Sequence, residues 1–255
     1  MTTVLSYYSL ALWSLGYPEK ALRSAEQAVE AARETGQAAS LMFGFFMASI
    51  FHISCRNYSL VDELARKLFM VADKKGALLW KAGSLVYQGC VFTASGKPGD
   101  AVALITAGIA DYRSTGATVL LTVYLSLLGR AYADLGQFDE AWRCMNEASS
   151  IIETAEEKIW ESEVNRVAGE ITLLSQPLEA GKAEQHFTDA LAVARKQQAK
   201  SWELRAAMSM ARLWRDQGKR QQAHDLLAPV YCWFTEGFDT LDLKEAKALL
   251  EQLKT

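Results

Sequence analysis

Small residues recur at a fixed interval along the whole chain, and this period constrains the fold more than any other feature of the sequence. A small apolar residue stands at steps of 40, 40, 40, 42 and 40 residues, obtained by subtraction, and a glycine often precedes it by five residues. The six marker positions are Ala21, Val61, Ala101, Ala141, Ala183 and Ala223. Three further glycines, at positions 36, 76 and 116, repeat with the same interval. So regular a pattern predicts an internal repeat.

One period contains two amphipathic segments joined by a tight turn. Apolar residues recur at three- and four-residue spacing over 119–135 and again over 141–152, as one face of an α-helix requires. Gly136 suits the left-handed conformation that ends a helix. Asp139 and Glu140 then place negative charge at the start of the next helix, where the helix dipole favours it. Each period therefore predicts a helix–turn–helix unit with helices of about 17 residues, or about 25 Å.

Stacked neighbours must complete the core, because a two-helix unit leaves one apolar face uncovered. The period predicts six repeats at about 1–36, 37–76, 77–116, 117–156, 157–198 and 199–238, and an amphipathic cap over 239–255. The two extra residues of the fifth repeat are expected in its turn, 175–181. The sequence thus predicts an all-α fold: one domain over 1–255, a right-handed superhelical solenoid of helix–turn–helix repeats.

The amino end has no comparable cap. Its first helix begins with an apolar surface and nothing upstream to cover it, formed by Tyr7, Tyr8, Leu10, Leu12 and Trp13. Two explanations stay open at this point. Either a partner covers this surface, or the chain is one piece of a longer polypeptide.

The fourth repeat resembles the tetratricopeptide (TPR) signature in the stretch L-G-R-A-Y-A-D-L-G-Q-F-D-E-A, residues 128–141. Residues at the family's small and aromatic positions are Gly129, Tyr132, Gly136, Phe138, Ala141 and Ala148. Small residues matter there because helices that pack about 8–10 Å apart leave no room for larger side chains at the crossing. The period of 40 exceeds the family's usual 34, so the helices are expected to be longer.

A second resemblance covers most of the chain and is distinctive in its last third, over residues 198–220 and 226–240, with 168–171 and 183–191 fitting the same pattern. These segments are similar to the carboxy-terminal helical tail of large bacterial regulators that place a cyclase or DNA-binding head before an AAA-type ATPase. The resemblance implies a regulatory or scaffolding role in signal transduction. It does not imply cyclase activity for this chain, because the head domains are absent from the sequence.

Composition excludes several broad classes. Half of the 255 residues are apolar and only 4 are proline, which excludes a disordered chain, and a net charge of −3 provides no basic field for nucleic acid. The apolar stretch 41–55 is shorter than the ~20 residues of a membrane span, so we expect a buried helix and no membrane partner. The four separated cysteines, Cys55, Cys90, Cys144 and Cys232, are expected to be buried thiols of a reduced cytoplasmic protein.

Known catalytic patterns are also missing from the sequence. The three Gly-Lys pairs lack the upstream glycine and the hydroxyl residue of a phosphate-binding loop. His52, His186 and His224 lie in different repeats, so a shared metal site is not expected, and His52 fits a core histidine better than a ligand. We therefore expect neither enzymatic activity nor a cofactor.

Tryptophans repeat with the same period, at Trp80, Trp160 and Trp202. Because tryptophan is common at interface hot spots, ligand contact is one interpretation. Their common position in the repeat favours the other interpretation, which is packing between stacked helices.

The first helix of each repeat in a solenoid lines the concave side, where peptides dock. In the register implied by the TPR resemblance, the groove positions are Phe46, Ile50, Ile53, Val86, Cys90, Ser126, Arg130, Glu163, Arg166, Glu170, Arg205, Met208, Arg212 and Arg215. This predicts a groove that is apolar towards the amino end and rich in arginine towards the carboxy end. The arginine fork suits carboxylate or phosphate groups of a partner.

The charge distribution along the chain leaves two interpretations of that arginine-rich end. Residues 130–189 contain 13 acidic and 5 basic side chains, a net charge of −8, whereas 195–220 contain 8 basic and 2 acidic, a net charge of +6. The arginines could receive an acidic partner. Alternatively, the acidic and basic faces satisfy each other between the fifth and sixth repeats.

These observations favour a non-catalytic protein–protein interaction or scaffolding module that binds a peptide or a partner domain in its groove. The second resemblance makes ATPase or cyclase domains of the same polypeptide candidate partners. A different hypothesis is a small-molecule sensor whose pocket lies in the second repeat, lined by Met42, Phe43, Phe46 and Met47.

Overall fold

The computed structural model describes residues 1–155, 157–175 and 179–254, and over these ranges the regular secondary structure is helical, with no strand. The described residues form thirteen α-helices: α1 Thr2–Ser14, α2 Pro18–Glu34, α3 Ala38–Ser54, α4 Tyr58–Lys75, α5 Leu78–Ala94, α6 Pro98–Ser114, α7 Leu121–Asp134, α8 Phe138–Ala155, α9 Glu161–Ser175, α10 Ala180–Lys196, α11 Lys200–Asp216, α12 Arg220–Cys232 and α13 Leu241–Leu253. They run as consecutive antiparallel pairs in a TPR-like array, which confirms the predicted all-α fold. Each predicted repeat contains one pair, and α13 lies in the predicted cap.

The helix ends follow the glycine pattern. Gly76 ends α4 with φ of 62°, in the left-handed region that glycine adopts without strain. Two positions where the period lacks a glycine have the same conformation, since Arg56 has φ of 58° and Gln198 has φ of 55°. The turn geometry therefore repeats even where the residue type does not. The predicted insertion at 175–181 falls partly on 176–178, outside the described residues.

The marker residues lie where paired helices approach most closely. All six, from Ala21 to Ala223, have no accessible surface. Glycines permit a still closer approach of α5 and α6, because a Cβ added at Gly108 would lie 2.8 Å from the carbonyl oxygen of Ala82. The period thus places small residues at the helix crossings, as ridge-and-groove packing requires.

The chain forms two compact units. Unit 1 contains Met1–Ala11 and Lys20–Ala148, and unit 2 contains Leu12–Glu19 together with the described residues from Ser149 onward. The core of unit 2 includes apolar side chains of α13, among them Leu243, Ala246 and Leu249, so the predicted capping role of this helix is confirmed. A single domain and a right-handed superhelix stay predictions.

Two expectations about exposure need correction. Leu10, Leu12 and Trp13 are buried, because they lie on the inward side of α1, and only Tyr7 and Tyr8 of the predicted apolar surface are exposed. Among the cysteines, Cys90 and Cys144 are buried as predicted, Cys55 is half-buried, and Cys232 is exposed at the end of α12.

The apolar stretch 41–55 lies in α3, where every residue from 44 to 54 is buried. Across the described part of the chain, no helix combines the length and the hydropathy that a bilayer span needs. His52 belongs to this buried segment, as predicted, and burial lowers its pKa to about 4.

Candidate functional site

The predicted groove positions of unit 1 lie in its core. On α3, Phe46, Ile50 and Ile53 are at most 8% exposed, and on α5, Val86 and Cys90 are at most 4% exposed. Burial raises the pKa of the Cys90 thiol to about 12, so it stays protonated at neutral pH. These side chains offer little surface to a partner here, and their assignment to a groove stays a prediction.

Aromatic rings fill the space at these positions. The ring of Phe46 lies 5.1 Å from that of Trp80 and 5.3 Å from that of Tyr87, measured between centroids. A Cβ added at Gly83 would lie 2.4 Å from the Phe46 ring. Because α3 and α5 pack this closely, aromatic side chains of both helices fill the space around Phe46, and the proposed pocket of the second repeat stays a prediction.

Charged groups occupy the corresponding positions of α9 in unit 2. The guanidinium of Arg166 donates two hydrogen bonds of 2.7 Å to the carboxylate of Glu163, bonds Glu170, and lies 3.4 Å from the hydroxyl of Ser209. Burial acts to lower the pKa of Arg166, but the two carboxylates raise it above its ordinary value. Arg166 and Glu170, both predicted groove residues, are thus brought together as partners.

Arg205 of α11 lies in an aromatic and acidic environment. Its guanidinium donates a hydrogen bond of 2.8 Å to Asp242 and lies 3.8 Å from Glu163. The guanidinium carbon is also 5.3 Å from the ring centroids of both Trp13 and Trp202. With its side chain only 9% exposed, Arg205 is a buried cation whose charge is compensated by neighbours within unit 2.

Arg212 and Arg215, further along α11, keep more of their surface. Arg212 bonds Glu245 at 2.8 Å with its side chain 40% exposed. Arg215 bonds Asp216 at 2.9 Å and the side-chain oxygen of Gln252 at 2.7 Å, with 32% exposed. Because a guanidinium has five N–H donors, both residues retain donors that a further carboxylate can reach.

Helix α13 therefore supplies polar partners that the sequence prediction missed. Asp242, Glu245 and Gln252 contact successive arginines of α11. Their spacing of three and seven residues along an amphipathic helix places them on one face. This spacing is the sequence feature from which their contact with α11 could have been predicted. The structure also contains ion pairs between the acidic fifth repeat and the basic sixth repeat, as the alternative interpretation predicted. Arg205 approaches Glu163, and Lys219 lies 3.7 Å from Glu184.

Arg130, the remaining predicted groove residue, lies on α7 in unit 1. Its guanidinium bonds Asp134 one turn away at 2.9 Å, and its side chain is 39% exposed. It is the one charged residue among the predicted groove positions of unit 1.

The repeated tryptophans pack between helices, as one of the two interpretations predicted. Trp160 and Trp202 are each 3% exposed, with ring centroids 5.6 Å apart, and Trp13 meets Trp202 edge to face at 4.5 Å. The indole N–H groups of Trp160 and Trp202 have no hydrogen-bond acceptor among the described residues. These rings form a rigid wall beside Arg205.

Unit 2 also contains a cleft of about 270 Å³. It is lined by Arg195, Lys200, Glu203, Asp225, Leu226, Pro229, Val230 and Trp233. Glu203 receives hydrogen bonds from Arg195 and Lys200. Burial acts to raise the pKa of Glu203, but these two bonds lower it below its ordinary value. The cleft is thus amphipathic, because both an ionised carboxylate and the exposed Trp233 line it.

The described ranges contain no candidate metal site, because no three His, Cys, Asp or Glu side chains form a group able to hold a metal ion.

Comparisons with known proteins identify solved structures of the same fold. No family model matches the chain, and no curated protein matches it significantly. The apo form of RapI aligns with 98% of this chain and 84% of its own, at 14% identity and a TM-score of 0.64. A Rap protein complexed with competence and sporulation factor aligns with 98% and 76%, at 14% identity and a TM-score of 0.70. The apo form of the quorum sensor NprR from B. thuringiensis aligns with 98% and 68%, at 13% identity and a TM-score of 0.61. At these identities the likeness shows a TPR-like fold.

Proposed function

We propose that this chain is a non-catalytic interaction module that binds a protein or a peptide. The supporting observation is the array of antiparallel helix pairs, which aligns over 98% of the chain with a Rap protein solved with a bound factor. A second fold neighbour is a quorum sensor. A stacked helical array offers a long surface built from repeated elements, which suits an extended partner.

The partner is expected to carry acidic groups and to contact α11 at Arg212 and Arg215. Both side chains lie at the edge of the packed charges of unit 2 and keep accessible donors. Arg166 and Arg205 are more deeply buried, and they hold the helices that position this edge. A partner carboxylate would share Arg212 with Glu245, which limits the strength of each contact and favours recognition by several groups at once.

The experiment is a binding screen with fluorescein-labelled short peptides of acidic, neutral and basic composition. We expect acidic peptides to bind, and Arg212→Ala with Arg215→Ala to weaken them about tenfold or more, since charge-assisted hydrogen bonds are lost. Arg143→Ala is the matched control, because Arg143 is a 73% exposed arginine of α8. Equal binding by the double variant and the control would reject this site, with circular dichroism showing whether the helices remain intact.

A small-molecule sensor remains the second candidate, and one observation favours a different location for it. The amphipathic cleft beside Trp233 in unit 2 has a volume of about 270 Å³, which is slightly below the range of about 300–1,000 Å³ typical of ligand pockets. A thermal-shift screen against metabolites tests this candidate, because a ligand that binds only the folded state raises the melting temperature. Trp233→Ala should abolish any shift caused by a ligand in this cleft.

A more specific proposal is that the chain is a tail attached to a signalling ATPase or cyclase. It rests only on the sequence resemblance. The genomic sequence immediately upstream of the Met1 codon tests this proposal directly, because it shows whether the reading frame continues into such a domain. The non-catalytic part of the proposal is tested by nucleotide cyclisation and hydrolysis assays, where turnover abolished by one point mutation would contradict it.

A further inference from the structure

Helix α1 and the preceding Met1 present an apolar stripe whose side chains carry no charge. Four side chains of its outer surface are largely accessible, with Met1 88%, Val4 71%, Tyr7 59% and Tyr8 56% exposed. Ala11 is exposed as well, and no residue from Thr2 to Ser14 carries a charge. The helix that follows in the same repeat, α2, has Glu19, Arg33 and other charged residues. An uncharged, aromatic outer surface on a helix is a feature of interaction sites.

The spacing of the stripe is that of a helix–helix seam. Positions 1, 4, 8 and 11 alternate steps of three and four residues, which keeps them on one side of a helix and matches the knobs of coiled-coil packing. The opposite side of α1 is committed to unit 1 and cannot compete for this role: Thr2, Ser6 and Ser9 are buried, and Ser24 of α2 donates a hydrogen bond of 3.0 Å to the carbonyl of Leu5.

The stripe is also symmetric about its own centre. In an antiparallel pair related by a two-fold axis near residue 6, Met1 faces Ala11 of the other copy and Val4 faces Tyr8. Each contact joins a larger side chain to a smaller one, so two identical stripes interdigitate. An isologous interface requires this self-complementarity, and the absence of charged side chains from the stripe removes the like-charge repulsion that they would create in a two-fold pairing.

We propose that α1 is a dimerisation surface and that its partner is α1 of a second copy of this chain. The exposed apolar side chains offer on the order of 500 Å² per copy, if each accessible side chain is taken at 150–200 Å² before scaling by its exposure. Two copies together bury at most about 1,000 Å², which lies at the lower limit of specific interfaces. The dimer is therefore weak and reversible. This surface is separate from the arginines of α11.

Sedimentation velocity across about 1–300 µM protein tests the proposal. The wild-type mass should rise from 28.2 kDa towards twice this value. Tyr8→Glu should weaken association by about 100-fold, because pairing would bury an unpaired carboxylate against Val4 of the other copy. Val4→Glu provides a second variant if the first disturbs folding. Met70→Glu, at a 62% exposed position of α4, is the matched control and should dimerise as the wild type does.

Cysteine cross-linking tests the register. In a background that carries Cys232→Ser, a mixture of Val4→Cys and Tyr8→Cys proteins should form more disulfide-linked dimer than either protein alone, because position 4 faces position 8 of the other copy. A wild type that stays monomeric throughout would overturn the proposal and assign the stripe to a different occupant, such as another segment of a longer polypeptide. A dimer that persists in both glutamate variants, or cross-links without preference for the mixture, would overturn it as well.

Discussion

Equivalent repeat positions are apolar in the second and third repeats, both in unit 1, and charged in the fifth repeat, in unit 2. Phe46 and Val86 stand one and two periods into the chain, and Arg166 occupies the same place two periods later. Ile50 and Cys90 correspond in the same way to Glu170. The first set is packed by aromatic rings, and the second by hydrogen bonds between charged groups. The helix pairs tolerate either apolar or charged packing at these positions, because each repeat contacts only its immediate neighbours.

Apolar packing and charged packing lose stability in different ways when a side chain is removed. Apolar packing loses stability gradually as contacts are removed, whereas a buried ion pair fails abruptly when one member is lost, because the other charge remains without compensation. Unit 2 should therefore be sensitive to single charge deletions. Unit 1 should be sensitive to changes of volume and to protonation of its one deeply buried histidine.

Arg205→Ala is expected to have the largest effect and to act on unit 2. It removes the guanidinium that donates a 2.8 Å hydrogen bond to the buried Asp242 and the cation beside Trp13 and Trp202, for a loss of about 3–5 kcal/mol in unfolding free energy. Urea denaturation followed by tryptophan fluorescence measures this loss, because five of the seven tryptophans lie in unit 2.

The matched control for Arg205→Ala is Arg143→Ala in unit 1. Arg143 also pairs with a carboxylate, at 3.0 Å from Glu140, but its side chain is 73% exposed. Its removal should change the unfolding free energy by less than about 0.5 kcal/mol. Equal effects of the two substitutions would show that the buried network of unit 2 is not a distinct source of stability.

The period, the helix pairs and the capping helix could be predicted from the sequence because they depend on local rules. A glycine ends a helix and a small residue sits at a crossing wherever the period places them, as Gly76 and Ala101 illustrate. The groove could not be predicted in the same way. Whether Phe46 faces a groove or the core depends on how α5 is rotated against α3, which sequence spacing does not specify. The contact between Arg212 and Glu245 also depends on the packing angle of α13.

His52→Leu should flatten the pH dependence of unit 1. Burial lowers the pKa of His52 from 6.5 to about 4, so the fold favours the neutral imidazole. That stabilisation is fully present above pH 6.5 and is lost as the pH falls towards 4, because the unfolded chain then binds the proton more readily. The total is about 3 kcal/mol. Denaturation at several pH values between about 7 and 4.5, followed by circular dichroism, compares the two proteins.

The pKa itself provides an independent check on His52. An NMR titration of the imidazole C–H signals should show no protonation until the pH approaches 4. A titration midpoint near 6.5 in the folded protein would contradict the burial of this side chain, and it would remove the expected difference in acid sensitivity between the wild type and His52→Leu.

Gly108→Ala should destabilise unit 1 through volume alone. The new methyl group would lie 2.7 Å from a side-chain carbon of Val86 and 2.8 Å from the carbonyl oxygen of Ala82. Because a backbone atom cannot move away as a flexible side chain can, α5 and α6 must separate, at a cost of about 1–3 kcal/mol. Gly99→Ala, on the same helix, meets nothing within 4 Å and should stabilise the protein by about 0.4–1 kcal/mol. Opposite shifts of the melting temperature for these two variants would confirm that close backbone approach holds unit 1 together, whereas equal shifts would contradict it.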